Sequence, residues 1–226
     1  MISGERGFIG SHMRQYDLPD VLFHCAWHGS RTRNEDQTPN ILMSLKYIVK
    51  AHDAGIERFV LLGSQAEDGF GPYSEAKRAL KRIMHDTGLN FVWAKLFSVY
   101  GPGDHPDTLI SKVIYKLLHN EPIRLTKCET IWDYLYVDDV CKGLQSVALS
   151  GIRGTISIGS GEGVHIKDVV LMLRDMINPK AKIIFAGDDL IDYKVANTAH
   201  INTIWKPEVT LAEGLKRTVE WQESLY

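Results

Sequence analysis

Short apolar runs alternate with amphipathic segments along the first hundred residues of the chain. The runs at 21–26, 59–62 and 91–96 have the length of buried strands. The segments between them carry apolar residues at helical spacing and begin near Pro39 and Tyr73. Strands that alternate with helices of about ten to fifteen residues predict a parallel sheet with helices on both faces. We therefore predict an α/β fold with a doubly wound parallel sheet.

The pattern of elements changes after the glycine-proline turn at 101–103. The apolar spacing predicts a helix around 109–118, one strand over 131–137 and a helix over 138–149. Shorter strands are predicted at 155–158 and 182–185, and a capping box at Thr210 and Glu213 opens the last helix. We expect a second, smaller α/β lobe in this part.

Three polar side chains stand out at the end of the second apolar run. Ser64 closes that run, and Tyr73 and Lys77 lie at the head of the next predicted helix. Residues four apart share one face of a helix, so the phenol and the ammonium point the same way. A nearby ammonium lowers the pKa of a phenol, and a serine hydroxyl can hold a substrate oxygen. In isolation Tyr73 and Lys77 fit a surface pair and Ser64 fits a cap; together they predict a proton-transfer site.

A glycine-rich turn lies near the start of the chain. Gly4, Gly7 and Gly10 follow a possible strand end and precede a short helix-like stretch. Glycines at this spacing let a phosphate approach the backbone at the start of a helix. His24 and His28 have the spacing of helical metal ligands, but they fall on a strand and its exit, so we predict no metal site.

Composition narrows the class of protein without identifying it. The 226 residues are 44% hydrophobic and 24% charged, which is typical of a globular protein with a sizeable core. The net charge of −2 gives no reason to expect nucleic acid or an anionic membrane as a partner. The chain shows neither a membrane-length apolar run nor a signal peptide, and its three cysteines are widely spaced. We expect a cytoplasmic protein without a disulfide framework.

Seven motifs follow one another along the chain: Gly4-x-x-Gly7-Phe8-Ile9-Gly10, His24-Cys25-Ala26, Ser64, Tyr73-x-x-x-Lys77, the segment 96–103, the segment 133–140 and the segment 158–161. In this order they resemble the motifs of the extended short-chain dehydrogenase/reductases, the NAD-dependent epimerase/dehydratase family acting on nucleotide sugars. The resemblance implies a Rossmann domain over 1–103 and a substrate lobe over most of 104–226, with some segments returning to the Rossmann domain.

The resemblance also implies roles for individual residues. Tyr73 is the expected general acid/base, Lys77 its partner and a ribose ligand, and Ser64 the holder of the substrate oxygen. NAD or NADP is the expected cofactor, bound by Gly4, Gly7, Phe8, Ile9, Gly10, Asp17, Leu18, Ala26, Trp27, Tyr73, Lys77, Phe97 and Val99. The substrate, a nucleotide sugar, is expected at His28, Ser64, Gln65, Ser98 and Trp132. A homodimer through the helices that begin at Pro39 and Tyr73 is a further expectation from the family.

The chain departs from the family pattern at several positions. Ser98 and Trp132 stand where the family usually has Asn and Arg against the sugar nucleotide. Residues 65–67 read Gln-Ala-Glu in place of the Asp-Glu pair of dehydratases, which disfavours dehydration. The amino-acid sequence at residues 26–27 and 63–67 is similar to that of sugar-nucleotide 4-ketoreductases. We therefore predict reduction of a 4-keto sugar in deoxysugar biosynthesis; the alternatives are a C4 epimerase with recycled NAD and a non-catalytic cofactor-binding regulator.

Two connections are shorter than in the family. Only residues 11–20 separate Gly10 from the strand at 21, which leaves no room for a helix and a further strand with an acidic ribose ligand. The connection between Ser64 and Tyr73, residues 65–72, is also shorter than in the family. We expect that segments of a longer protein, left out because they are disordered, belong near 11–20 and 65–72; a truncated relative is the alternative. An intact mass near 25.5 kDa would contradict this expectation.

Overall fold

Helices and strands alternate along the chain in the computed structural model, which describes residues 1–29, 35–188 and 192–226. The α-helices are α1 Phe8–Met13, α2 Thr38–Asp53, α3 Pro72–Asp86, α4 Leu109–Leu118, α5 Val137–Leu149, α6 Ile166–Ile177 and α7 Leu211–Glu223. The strands are β1 Ile2–Ser3, β2 Val21–His24, β3 Arg58–Ser64, β4 Phe91–Leu96, β5 Ser98–Tyr100, β6 Ile123–Leu125, β7 Ile131–Trp132, β8 Tyr134–Tyr136, β9 Gly154–Ile158, β10 Val164–His165, β11 Ile183–Phe185 and β12 Tyr193–Lys194. Within these ranges no helix has both the length and the apolar character needed to cross a bilayer.

The chain divides into two compact units, and the first holds a parallel sheet. This sheet unit comprises residues 1–96, 140–158 and 198–206. Its five strands lie in the order β1, β2, β3, β4, β9, and each neighbouring pair is parallel. The predicted α/β fold of the Rossmann type is thereby confirmed. The connection from β1 to β2 consists of α1 and a 3-10 helix, Arg14–Tyr16, so these two strands are direct neighbours.

The core of the sheet unit forms where the central strands meet α2 and α3. All seven residues of β3 are buried, as the apolar run predicts for a central parallel strand. The core side chains come from β2, β3, β4, the two helices and the connection between α2 and β3: Leu22, Ile48, Ala51, Ile56, Phe59, Leu61, Leu80, Met84, Phe91 and Trp93. Each large apolar side chain buried in this way contributes about 1.5–3 kcal/mol to folding. This packing holds α2 and the second half of α3 against the central strands.

The face that α2 buries differs from the face that its apolar residues predict. Leu42 and Val49 are more than half exposed, whereas Asn40 and Ser44 are buried beside Ile48. The apolar residues at positions 41, 42, 45, 48 and 49 predict one buried stripe, and this prediction is wrong at Leu42 and Val49. The reason is that both buried polar side chains have hydrogen-bond partners within the sheet unit, which removes the usual cost of burying them.

The second unit comprises residues 97–139, 159–197 and 207–226. Small sheets pair β5 with β8, β6 with β11, and β7 with both β10 and β12. Helices α4, α6 and α7 pack around a core that is built from apolar and tyrosine side chains: Tyr100, Ile110, Val113, Ile114, Leu117, Ile123, Tyr134, Tyr136, Val169, Val170, Leu173, Leu215 and Val219. Unlike the first unit, it has no strand longer than three residues among those described.

The single strand predicted over 131–137 is wrong, because the backbone changes sheets at Asp133. This fully buried carboxylate accepts hydrogen bonds from the amides of Ser160, Gly161 and Ala196 at 2.8, 2.9 and 3.1 Å. It also accepts the Ser160 hydroxyl at 2.7 Å. Because these donors surround Asp133, β7 and β8 are separate strands on either side of it.

Candidate active site

Ser64 and Tyr73 lie at the two ends of a short, well-bonded connection. Ser64 is the last residue of β3, a 3-10 helix spans Gln65–Asp68, and Tyr73 is in the first turn of α3. The Ser74 hydroxyl donates to the Ala66 carbonyl at 2.6 Å. The Arg78 guanidinium donates to the Gly69 carbonyl at 2.8 Å. These bonds from α3 hold the connection against the helix.

Lys77 lies one turn after Tyr73 and is buried. Its ammonium donates to the Leu62 carbonyl at 2.8 Å, which ties α3 to the end of β3. The same nitrogen lies 3.7 Å from the centre of the Trp27 ring and 5.8 Å from that of Tyr73. The Trp27 and Tyr73 rings meet edge to face at 5.7 Å. The structure therefore brings Trp27, Tyr73 and Lys77 together as the sequence predicted for the site.

The ionisation of Lys77 is poised near neutrality. Burial lowers the pKa of its ammonium from 10.5 to about 7, and the charge of Glu67 opposes that fall. The Trp27 ring face also favours the charged form, since a cation over an aromatic ring is stabilised by the ring quadrupole. A lysine of this kind can hold its proton or release it at neutral pH, beside the Tyr73 phenol.

Ser64 is oriented by Glu67, a residue that sequence reasoning did not place in the site. The Ser64 amide donates to Glu67 Oε1 at 2.6 Å, and the Ser64 hydroxyl accepts from the Ala66 amide at 3.1 Å. Trp93 Nε1 donates to the same Glu67 oxygen at 2.8 Å. The signal was present, because Ser-x-x-Glu after a strand is the capping-box pattern. Gln65, predicted as a substrate residue, is buried in the same 3-10 helix.

The glycine turn folds tightly against the end of β2. Gly4 has φ of +73°, and a Cβ there would lie 2.7 Å from the Ala26 amide nitrogen. A Cβ on Gly10 would lie 2.0 Å from the Gly4 carbonyl oxygen. Gly7 precedes α1 and has no side chain with which to cap the first amides of that helix. Gly4, Gly7, Gly10 and Ala26 thus share the carboxyl end of β1 and β2, with Phe8 and Ile9 half-buried beside them.

His24, at the end of β2, is buried between two serine hydroxyls. Its Nδ1 lies 2.7 Å from the Ser3 hydroxyl, and its Nε2 lies 2.8 Å from the Ser44 hydroxyl. The Ser44 hydroxyl donates its proton to the Asn40 carbonyl at 2.8 Å. The Ser44 oxygen can therefore only accept from His24, so Nε2 carries the ring proton and Nδ1 accepts from the Ser3 hydroxyl. Burial, and secondarily the charge of Lys77, lowers the pKa of His24 to about 3. A neutral imidazole therefore joins β1, β2 and α2.

Asn40 fixes the segment that follows β2. It accepts the His28 amide at 2.8 Å and donates to the His28 carbonyl at 2.9 Å, while the His28 side chain is exposed. It also donates to Gln37 Oε1, which in turn accepts Trp27 Nε1 at 3.0 Å. This network sets the position of the Trp27 ring under Lys77.

Asp17 and Leu18 lie at the other edge of the sheet. They precede the amino end of β2, whereas Gly4, Ala26 and Ser64 lie at the carboxyl ends of their strands. The Asp17 carboxylate accepts the Met1 amino group at 2.8 Å. Leu18 lines an open cleft of about 460 Å³ formed at the amino ends of the strands. The structure thus does not bring these two predicted cofactor residues to the glycine turn.

Four predicted site residues belong to the second unit. Ser98 and Val99 lie in β5, opposite Tyr134 and Leu135 of β8, and Phe97 precedes them and is buried. Trp132 ends β7 and pairs with Val164 of β10 and Lys194 of β12. Its ring is 6.4 Å from that of Tyr134, so Ser98 and Trp132 both neighbour the β8 tyrosine.

Comparison with known proteins identifies the family of the chain. A family model, the NAD dependent epimerase/dehydratase family, matches residues 14–159. The chain belongs to this family. The resemblance inferred from the ordered motifs is thereby confirmed.

Individual members of the family resemble the chain at modest identity. The UDP-glucuronate 4-epimerase of Thermodesulfobacterium geofontis is 27% identical over 92% of this chain and 73% of its own length. The CDP-abequose synthase of Salmonella typhimurium is 29% identical over 66% of this chain, which spans about half of that relative (55%). The fold matches a solved UDP-glucuronic acid 4-epimerase from Bacillus cereus, in complex with UDP-glucuronic acid and NAD, with a TM-score of 0.85. That match has 19% identity and covers 100% and 99% of the two chains.

Proposed function

We propose that this protein is an NAD(P)-dependent oxidoreductase that reduces a nucleotide-linked 4-keto sugar in deoxysugar biosynthesis. The observation that carries the proposal is the buried Lys77 ammonium beside the Tyr73 phenol, tied to the strand that ends at Ser64. Tyr73 gives its proton to the sugar oxygen, and the charge of Lys77 stabilises the phenolate that remains. Ser64 donates a hydrogen bond to the same oxygen.

The glycine turn fits the cofactor that this chemistry needs. The uncapped first amides of α1 suit a negatively charged group, and Gly4, Gly7 and Gly10 keep side chains away from them. A bound nicotinamide supplies the hydride, and the chain orients it. The strand next to β1 ends at His24 and carries no acidic residue for a ribose, so both NAD and NADP are candidates. Trp27, Phe97 and Val99 are proposed to flank the nicotinamide.

The substrate proposal rests on the relatives and on the chain's own departures. The relatives named above act on or bind nucleotide sugars, by their names. We assign the sugar nucleotide to His28, Ser64, Gln65, Ser98 and Trp132. Glu67 accepts the Ser64 amide and the Trp93 indole, which is a supporting role and does not favour elimination chemistry at residues 65–67.

A C4 epimerase is the second candidate, favoured by the UDP-glucuronate 4-epimerase relative. The two functions separate in one experiment with purified protein, nucleotide-linked 4-keto and 4-hydroxy sugars, and NADH or NADPH. A reductase consumes one reduced cofactor per product, measured by nicotinamide absorbance. An epimerase converts the 4-hydroxy sugar without net consumption of added cofactor. Product stereochemistry by NMR completes the assignment.

A Tyr73→Phe variant tests whether the protein is an enzyme at all. It should abolish turnover while leaving NADH binding, measured by fluorescence, unchanged. A Tyr47→Phe variant removes an equivalent hydroxyl from a half-exposed site on α2 and serves as the control. Cofactor binding by the wild type with no turnover of any nucleotide sugar would instead support a cofactor-binding regulator.

We further propose that the protein is a cytoplasmic homodimer. Leu42, Tyr47 and Val49 place exposed apolar surface along α2, one of the two helices expected at the dimer contact. The odd number of widely spaced cysteines fits a reducing compartment. Light scattering should give twice the chain mass. Leu42→Glu with Val49→Glu should halve it, and a matched Lys46→Glu change on the same helix should not.

A further inference from the structure

We propose that Glu67 is a positioning residue that sets the Ser64 hydroxyl and supplies the counter-charge for the Lys77 ammonium. The inference rests on the proposed function of Ser64, Tyr73 and Lys77. Glu67 is 4% exposed, and nothing in the proton transfer itself requires a carboxylate at this position. Burying a carboxylate is costly unless it is bonded or paired, so its presence calls for a physical account.

Glu67 positions Ser64 through a hydrogen bond to its main chain. Glu67 Oε1 accepts the Ser64 amide at 2.6 Å, and the Ser64 hydroxyl oxygen accepts the Ala66 amide at 3.1 Å. Because that oxygen already accepts from the backbone, the hydroxyl hydrogen is left to donate to a substrate oxygen. Glu67 therefore fixes the end of β3 in the orientation that this donation needs.

The surroundings of Glu67 are built to hold this geometry. The indole of Trp93, fully buried on β4, donates to the same oxygen at 2.8 Å. Gly63 leaves the space that both groups use, because a Cβ there would lie 2.2 Å from Trp93 Nε1 and 2.6 Å from Glu67 Oε1. A glycine, an indole and a carboxylate thus fit together directly behind Ser64.

Glu67 also carries the charge that opposes the effect of burial on Lys77. The Lys77 ammonium bonds the Leu62 carbonyl and the Glu67 carboxylate bonds the Ser64 amide, so the two groups grip the main chain on either side of Gly63. The other groups facing Lys77 are Trp27 and Cys25 after β2, His24 on β2 and Tyr73 on α3. Burial raises the pKa of the Cys25 thiol to about 12, and that of His24 is about 3.

Both the thiol and the imidazole are therefore uncharged at neutral pH. The Glu67 carboxylate remains to offset the ammonium among these groups, and its charge raises the pKa of Lys77 against the effect of burial. Removing that charge should release the Lys77 proton at lower pH. The charged lysine would then be lost in the range where Tyr73 needs it.

Glu67→Gln separates the hydrogen bonds of Glu67 from its charge, because the amide oxygen can still accept from Ser64 and Trp93 while the charge is gone. Asp68→Asn is the matched control, since it removes a carboxylate one residue away that is exposed and paired with Lys95. We expect the alkaline limb of kcat/KM to move to lower pH by about 1 pH unit in Glu67→Gln and to stay in Asp68→Asn.

A second readout needs neither cofactor nor substrate. Carbon-13 NMR of the lysine ε-carbons follows the titration of Lys77, assigned by its loss in Lys77→Met. Its midpoint should fall in Glu67→Gln and fall less in Glu67→Asp, which keeps the charge and covers the case that the glutamine variant does not fold. An unmoved midpoint in the folded variants, or an equal fall in Asp68→Asn, would overturn the proposal. Absence of turnover in the wild type would refute the proposed function and leave this titration test intact.

Discussion

Acid should destabilise this protein through His24 before it protonates most carboxylates. The imidazole is buried and neutral, and accepts from Ser3 while donating to Ser44. Protonation would put a second N–H against the Ser3 hydroxyl, displace its proton from the shared bond and leave a buried charge. The folded pKa of about 3 against 6.5 in the unfolded chain expresses that cost.

The size of the effect follows from proton linkage. Between pH 6.5 and about 3 the unfolded chain binds a proton at this site and the native protein does not, so stability falls as pH falls through that window. Each pH unit in the window costs about 1.4 kcal/mol. At pH 5 the loss from His24 alone is therefore ~2 kcal/mol, a large part of the ~5–15 kcal/mol that typically stabilises a domain.

The assay is urea unfolding at pH 8 and pH 5 for the wild type, His24→Gln and His52→Gln. The wild type and the His52→Gln control, altered at an exposed histidine of α2, should lose the same free energy between the two pH values. His24→Gln should lose ~2 kcal/mol less, since it has no imidazole to protonate. NMR of the ring nitrogens covers a poorly folded variant, because wild-type His24 should stay a neutral Nε2–H tautomer at pH 5. A charged His24 at that pH would refute the reasoning.

Three further predictions concern single positions. Gly4→Ala should lower the free energy of unfolding by ~1–3 kcal/mol in thermal melts because of its positive φ and the close Ala26 backbone, and Gly55→Ala, also at positive φ but in open space, should lose less. Asp133→Ala should cost ~3 kcal/mol or more by leaving buried donors without their acceptor, whereas Asp192→Ala, at a half-exposed carboxylate paired with Lys194, should cost less. Trp27→Leu should destabilise the protein by ~1 kcal/mol more at pH 6, where Lys77 is charged, than at pH 9; equal losses would argue against the cation–π contact.

What the sequence predicted well depends on local patterns. The strand at 91–96, the buried β3 run and the cap at Thr210 follow from apolar run length and from capping chemistry, which act between neighbouring residues. The pairing of Tyr73 with Lys77 follows from helical periodicity in the same way. These features are set by short-range geometry and appear where the pattern places them.

What it missed depends on partners that are distant in the chain. Asn40 and Ser44 look like surface residues on a helix wheel, and only the contacts with His28 and His24 explain their burial. Asp133 interrupts the predicted strand because its carboxylate oxygens accept hydrogen bonds from the amides of Ser160 and Ala196. These two residues lie about thirty and sixty positions further along the chain. These features cannot be predicted before the fold is known, because hydrophobic periodicity carries no information on which distant residues will form hydrogen bonds.

The chemistry of the candidate site follows from how few charges its buried polar groups carry at neutral pH. His24 is held neutral by burial and secondarily by the charge of Lys77, Cys25 is held as a thiol by burial, and Lys77 is left near the midpoint of its titration. A charge brought close to a buried lysine changes its pKa strongly, because electrostatic interactions are stronger in the protein interior than in water. We infer that a single carboxylate behind Ser64 can set the protonation of the site, and that the negative phosphates of a cofactor bound at the glycine turn would raise the pKa of Lys77 further. Binding of NADH should therefore take up protons near pH 7, which a titration in unbuffered solution would detect. Release of protons on binding, or no exchange of protons, would contradict this prediction.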